Sequence, residues 1–164
     1  MTATRDEEFE AFVRAHRGSL VRLATALAAG DAYLAEDLVQ GALIRVYLAK
    51  PSRTPDLFGY VRKAVVNGLV DHKRRPFAHR EQPSPAVPDH AVSPHPDDVD
   101  PELMADLASL PVRMRAAVVL RHVEGLSVEE TAAALRCTAG TVKSQTAHGI
   151  GKLRGLITTG EFSR

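Results

Sequence analysis

Thr141, Lys143, Ser144, Gln145 and His148 bring hydroxyls, an ammonium, an amide and an imidazole together within eight consecutive positions. Such groups meet base edges or phosphates when one helix presents them to a duplex. Gln145 suits bidentate pairing with adenine, whereas His148 is a weaker, partly charged donor near neutral pH. The chemistry is that of binding, because the chain lacks the motifs of catalysis. It has no P-loop, no dinucleotide-type glycine pattern, no nucleophile elbow and no His-Glu-x-x-His. His16, His72, His79, His90, His95, His122 and His148 are dispersed rather than clustered.

The elements that must carry these side chains are written in the residues before them. Ser127 followed by Glu130 is a capping box and starts a helix. Thr138 caps a second helix only three residues after Leu135, which forces a tight turn. Ala132 is small enough for close crossing, while Leu135 and Val142 supply apolar contacts between the helices. The pattern from Leu126 to Ser144 therefore predicts a helix-turn-helix; the plainer alternative is a helical hairpin with a solvated polar face. Gly149 and Gly151 each cost a helix about 1 kcal/mol relative to alanine, so the second helix is expected to fray towards its end.

Charge distribution supports the nucleic-acid reading. The 164 residues have a net charge of only +1. Residues 61–80, however, carry six Lys/Arg against one Asp, or +5. Residues 81–106 carry seven Asp/Glu and no Lys/Arg, or −7, and residues 111–155 carry seven Lys/Arg against three Glu, or +4. Two basic blocks flank an acidic connector, as expected if two surfaces meet one polyanion.

Residues 76–101 contain Pro76, Pro83, Pro85, Pro88, Pro94, Pro96 and Pro101 with few large apolar side chains. That density blocks regular hydrogen bonding and predicts an extended, mobile linker. His90, His95, Asp97, Asp98 and Asp100 fall there, and without a scaffold they read as solvated linker rather than metal ligands. Before it, Phe9, Phe12, Val13, Leu20, Leu23, Ala24 and Leu27 predict one long helix or a pair. Leu34, Leu38, Leu43, Ile44 and Tyr47 mark a helix from about 32 to 48; Phe58, Val61, Val65, Leu69 and Val70 mark another that stops at Pro76. After the linker, residues 101–109 form a helix, and Pro111 opens another that buries Ala116, Val119, Leu120 and Val123 and closes at Gly125. The fold class is all-α: two small helical domains, 1–75 and 102–160, joined by a flexible linker at 76–101, the second domain with the helix-turn-helix. Cys137 stands alone, so an internal disulfide and a cysteine-cluster zinc site are excluded. No run reaches the roughly 18 apolar residues of a membrane span, and the acidic N-terminus lacks a signal core. A cytoplasmic protein is expected.

In order and spacing these motifs resemble the extracytoplasmic function (ECF) sigma factors, promoter-specificity subunits of bacterial RNA polymerase. The resemblance runs from about Phe9 to Leu156. Ala35-Glu36-Asp37-Leu38-Val39-Gln40 resembles the family's polymerase-clamp-binding helix. Val61-Arg62-Lys63-Ala64-Val65-Val66-Asn67, with Asp71 and Arg74-Arg75, resembles its −10-recognition helix. Ser109-Leu110-Pro111 and Gly125 to Ser144 resemble its second domain, and Thr141 to Thr146 is most similar to a SigE-like actinobacterial subgroup.

The resemblance implies a non-enzymatic subunit whose partners are core RNA polymerase and promoter DNA, with no cofactor. Glu36, Asp37 and Gln40 would bind the polymerase, as exposed carboxylates beside a neutral amide suit a Lys/Arg-rich surface. The loop 51–56 and Asn67 would capture a flipped −10 base, with Phe58 and Tyr60 lining the fork. Arg62, Lys63, Lys73, Arg74 and Arg75 would neutralise phosphates. Thr141, Lys143, Ser144, Gln145 and His148 would read the −35 duplex, with Arg121 on a phosphate. Departures are Gln145 and His148, where arginine is frequent in the family, and Arg136, where glycine is common; moderate −35 affinity follows. The family also implies an anti-sigma protein as a potential inhibitor. A stand-alone helix-turn-helix regulator is the alternative, and it would need neither the clamp-binding nor the strand-capture helix.

Overall fold

Thr4 and Glu7 close a capping box at the start of the first helix: the Thr4 hydroxyl accepts from the Glu7 N–H, and the Thr4 N–H donates to the Glu7 carboxylate. In the computed structural model, residues 4–49, 56–74 and 100–162 are described, with backbone only for 73, 74 and 157–162. From this cap α1 (Arg5–Leu27) runs unbroken, so the first apolar pattern is one helix rather than a pair. Ala29 and Gly30 turn the chain with positive φ (53° and 88°). The Asp31 carboxylate then caps α2 (Ala32–Ala49) through the Leu34 N–H, and Asp56 caps α3 (Leu57–Arg74) through the Gly59 N–H. These local carboxylates satisfy donors that a helix start leaves orphaned.

The three helices pack around Leu20, Leu23, Leu27, Val39, Val46, Val61, Val65 and Val66, all fully buried. Two periodicity assignments in α2 need correction. Ile44, expected inside, is 59% exposed, and Tyr47 is only half-buried. The cause is that α2 is apolar around most of its circumference, so spacing alone does not say which stripe its neighbours cover. Tyr47 instead caps the bundle: its hydroxyl donates to Asp6, and Arg5 donates to its carbonyl. The hydrogen bond to Asp6 raises the phenol above its usual range.

The acidic, proline-rich segment lies outside the described residues up to position 99. Pro101, expected at the end of that linker, is the first residue of α4 (Pro101–Ala108), and Asp100 caps it. Then follow α5 (Val112–Val118), a π-helical turn (Val119–Val123), α6 (Val128–Leu135) and α7 (Ala139–Phe162). Val123, expected inside, is 59% exposed. The π turn holds an extra residue, which rotates Val123 outward and brings Glu124 to the half-buried position. Gly125 (φ 70°) ends the helix as the sequence implies.

Among the described residues there is no strand. The buried residues of both helical groups form one continuous cluster, with α6 packed on α3 and α5 touching both α1 and α3. The all-α expectation is met, with the helix-turn-helix in the second group.

Candidate polymerase and nucleic-acid interfaces

The helix-turn-helix is held by short-range bonds. The Ser127 hydroxyl accepts from the Glu130 N–H at 3.0 Å, and the Ser127 N–H donates to the Glu130 carboxylate at 3.1 Å. The fully buried Thr131 turns its hydroxyl back onto the Ser127 carbonyl. Arg136 ends α6 in the left-handed region (φ 55°, ψ 47°), the conformation for which glycine is the ready choice. Thr138 then accepts from the Thr141 N–H at 3.1 Å and opens α7. Close packing falls to Thr131, Ala134, Leu135 and Val142, with Ala132 only half-buried.

The Ser127 N–H and hydroxyl both favour the ionised form of Glu130 and hold its carboxyl below the usual range. A carboxyl depressed by folding contributes stability above the ordinary glutamate pKa of about 4.3 and loses that contribution as pH falls through its folded value. The capping box should therefore weaken only in acid. Ser127→Ala is expected to cost about 1 kcal/mol at neutral pH. Urea unfolding measures this directly, and an unchanged midpoint would rule the cap out as a stabilising element.

On α7, Thr141, Lys143, Ser144 and His148 are exposed and Gln145 is half-buried. The Thr141 hydroxyl lies 2.9 Å from that of Thr138, so this expected base reader already shares a hydrogen bond with the cap. Lys143 and Arg121 border one cleft of about 430 Å³. Arg121 also donates to the Leu126 carbonyl, which ties the π turn to the start of the helix-turn-helix. It is a bracing residue with a guanidinium edge at the cleft.

The α3 residues divide between two faces. Tyr60, Lys63 and Asn67, spaced as i, i+3 and i+7, line a cleft of about 410 Å³ together with Arg45 and Arg136. Phe58 is instead half-buried against the core, its ring 5.4 Å from His16, and Arg62 lies over it at 5.7 Å. Phe58 is thus a packing residue, because an aromatic at that register meets α1 rather than solvent. Lys73 and Arg74 fall in the last turn of α3, whose side chains are not described; Arg75 and loop positions 51–55 lie outside the described residues. Arg45 and Arg136 were missed by sequence reasoning, since one stands on an apolar helix and the other in a turn.

On α2 the expected trio separates. Asp37 and Gln40 are exposed on a groove of about 530 Å³ that also includes Ile44 and Asp71. Glu36 does not join them. Its carboxylate meets Arg17 of α1 at 2.7 Å, and its side chain is 13% exposed. One residue along a helix is a rotation of about 100°, enough to turn Glu36 towards α1 while Asp37 faces out. The exposed stripe is Asp37, Gln40 and Ile44, extended by Leu48. Ile44 was missed because an apolar residue on a largely apolar helix reads as core.

With this geometry in place, the relatives become informative. Residues 12–76 match the family model of Sigma-70 region 2, and residues 102–153 match that of Sigma-70, region 4. The chain is 37% identical over 158 residues to the ECF RNA polymerase sigma factor SigE of Mycolicibacterium smegmatis, covering 91% of this chain and 61% of that protein. It is also 37% identical over 153 residues to the RNA polymerase sigma-E factor of Streptomyces avermitilis, covering 90% of this chain and 83% of the relative. The chain belongs to the ECF family of RNA polymerase sigma factors.

This sigma factor also shares its fold with the sigma factor RpoE of Bartonella quintana, solved in complex with the anti-sigma factor NepR. The TM-score is 0.70 at 22% identity, over 92% of this chain and 97% of that one. The region 2 match spans α3 and the groove bearing Asp37, and the region 4 match spans the helix-turn-helix. No described helix is long and apolar enough to cross a membrane.

Proposed function

We propose that this sigma factor engages core polymerase through the Asp37–Gln40–Ile44 face of α2 and recognises promoters with two separate surfaces. At the −10 element, Tyr60 and Asn67 hold the displaced strand, while Arg62, Lys63, Lys73, Arg74 and Arg75 neutralise its backbone. At the −35 element, Thr141, Lys143, Ser144, Gln145 and His148 meet the major groove, flanked by Arg121. The boundaries that go with this reading are residues 1–75 and 102–160, with 76–101 between them. The work is recruitment and recognition, carried out with polymerase in the cytoplasm, and sigma factors as a class are non-catalytic initiation factors. An anti-sigma protein, the partner of the Bartonella quintana relative, is a natural inhibitor on this reading.

The observation that carries the proposal is the order of the two regions: region 2 precedes region 4 in one chain. A stand-alone regulator has no use for the first. Run-off transcription with purified core polymerase on a genomic library tests the reading. Transcripts dependent on the added chain, sharing one upstream motif, are the expected result. Operator binding without any polymerase-dependent transcript would favour the stand-alone regulator.

A further inference from the structure

The cleft that Arg121 and Lys143 share holds two further groups, His122 and Arg154. Successive residues of α7 turn by about 100° around the helix axis. Ser144, Ala147, His148 and Gly151 therefore fall on its outward face, away from the buried Val142 and Gly149, and all four are exposed. Lys143, Ile150 and Arg154 run along one edge of that face, and the π-helical turn meets this edge with Arg121 and His122. From Lys143 to Arg154 the edge is about 16 Å long.

The charge along this edge has one sign. Arg121, His122, Lys143 and Arg154 line the cleft, and no Asp or Glu joins them. Glu124, Glu129 and Glu130, the carboxylates nearest in sequence, are not part of the lining, and Glu130 is engaged by the Ser127 cap. Arg113 and Arg115 of α5 stand outside it, and α1, which also touches the π turn, brings no charged residue to it. Arg121 is braced on the Leu126 carbonyl, while His122 beside it stays exposed.

A recognition helix in a major groove turns its outward face to base edges and its flank to the backbone of one strand. Each strand carries a phosphate about every 3.4 Å of duplex axis, so an edge of this length can meet more than one. The cleft is continuous with the proposed −35 surface through Lys143 and Arg121, which makes duplex backbone its occupant.

We infer that this cleft grips one strand of the −35 duplex, that His122 and Arg154 are phosphate contacts beyond the base-reading set, and that binding is coupled to proton uptake through His122. The inference deepens the −35 reading proposed above and rests on it for the duplex concerned. The grip itself is blind to sequence. A phosphate favours the protonated ring, so binding should strengthen as pH falls from about 8 to about 6.

The test measures binding of the full chain to a duplex carrying the run-off-defined −35 motif and to a scrambled duplex, across a salt series. Arg154→Gln should reduce the log–log salt slope by about 0.9 on both duplexes and weaken binding about fivefold or more at low salt, with the preference between them unchanged. Arg154→Lys should restore the slope. His122→Gln should reduce the slope at pH 6 and have little effect at pH 8, and it should remove part of the pH dependence seen in the wild type. His122→Arg should keep the slope at both pH values. An unchanged slope in either glutamine variant, with helicity intact by circular dichroism, would overturn the inference. So would a changed preference between the duplexes, because the residue would then be reading sequence. Saturable competition by inorganic phosphate at constant ionic strength would assign the cleft to a small phosphorylated ligand instead. A wild-type chain that does not discriminate between the duplexes would count against the −35 reading, and the slopes would still decide the grip.

Discussion

Asp37→Arg is expected to abolish capture of the chain by core polymerase, with a loss of about a hundredfold or more. The reason is electrostatic: the carboxylate stands exposed beside Gln40, and the surface proposed to receive it is rich in Lys and Arg. Reversing a charge at a complementary contact adds like-charge repulsion worth several kcal/mol. The fold should tolerate it, since exposed substitutions away from caps and cores stay within about 0.5 kcal/mol. Ile44→Asp should weaken capture by the apolar route, as Ile44 is 59% exposed on the same groove. Glu36→Gln separates the two roles of the acidic pair. It disturbs the 2.7 Å contact with Arg17 and should leave capture nearly unchanged. Pull-down of purified core enzyme with all three variants is the measurement. Wild-type capture by Asp37→Arg, with helicity intact, would remove α2 from the interface.

The two glycines of α7 should respond to alanine with opposite signs. A Cβ on Gly149 would lie 2.5 Å from Val118 Cγ2 and 3.1 Å from Met114 Cγ, with no room to withdraw because Val118 is itself buried. The helices must separate, and overpacking of this kind costs about 1–3 kcal/mol. Even after the gain of up to about 1 kcal/mol from helix propensity, Gly149→Ala should be clearly destabilising. Gly151 has nothing within 4 Å of the same position. Gly151→Ala should therefore stabilise by about 0.5–1 kcal/mol, since only the propensity term remains. Urea midpoints of both variants decide the matter. If they shift in the same direction, the close crossing of α5 and α7 is wrong. Gly149 is thus a packing requirement and not the weak point of a fraying helix that sequence reasoning took it for.

The contrast between these glycines marks where sequence reading ends. Helix starts were legible because a cap is a local event: Ser127 and Glu130, or Thr138 and Thr141, find each other within one turn of chain. Charge asymmetry and proline density were equally plain, being properties of composition. Which stripe of a largely apolar helix faces inward is a different kind of question. Ile44 is outside and Val39 inside because of what α1 and α3 cover, and on α2 only Asp37 and Gln40, earlier on the face of Ile44, hint at that choice.

By themselves, then, the residues determined the helical elements, the turn of the DNA-reading motif and the succession of two functional regions, all from interactions spanning a few positions. Only the tertiary structure decided that Glu36 pairs with Arg17 across 19 positions, that Phe58 packs inward, and that Arg115 reaches back 88 positions to Leu27. Those outcomes depend on which surfaces meet in space. A side chain's type states what it is able to bind, and its neighbours in the folded chain determine whether that capacity is already taken.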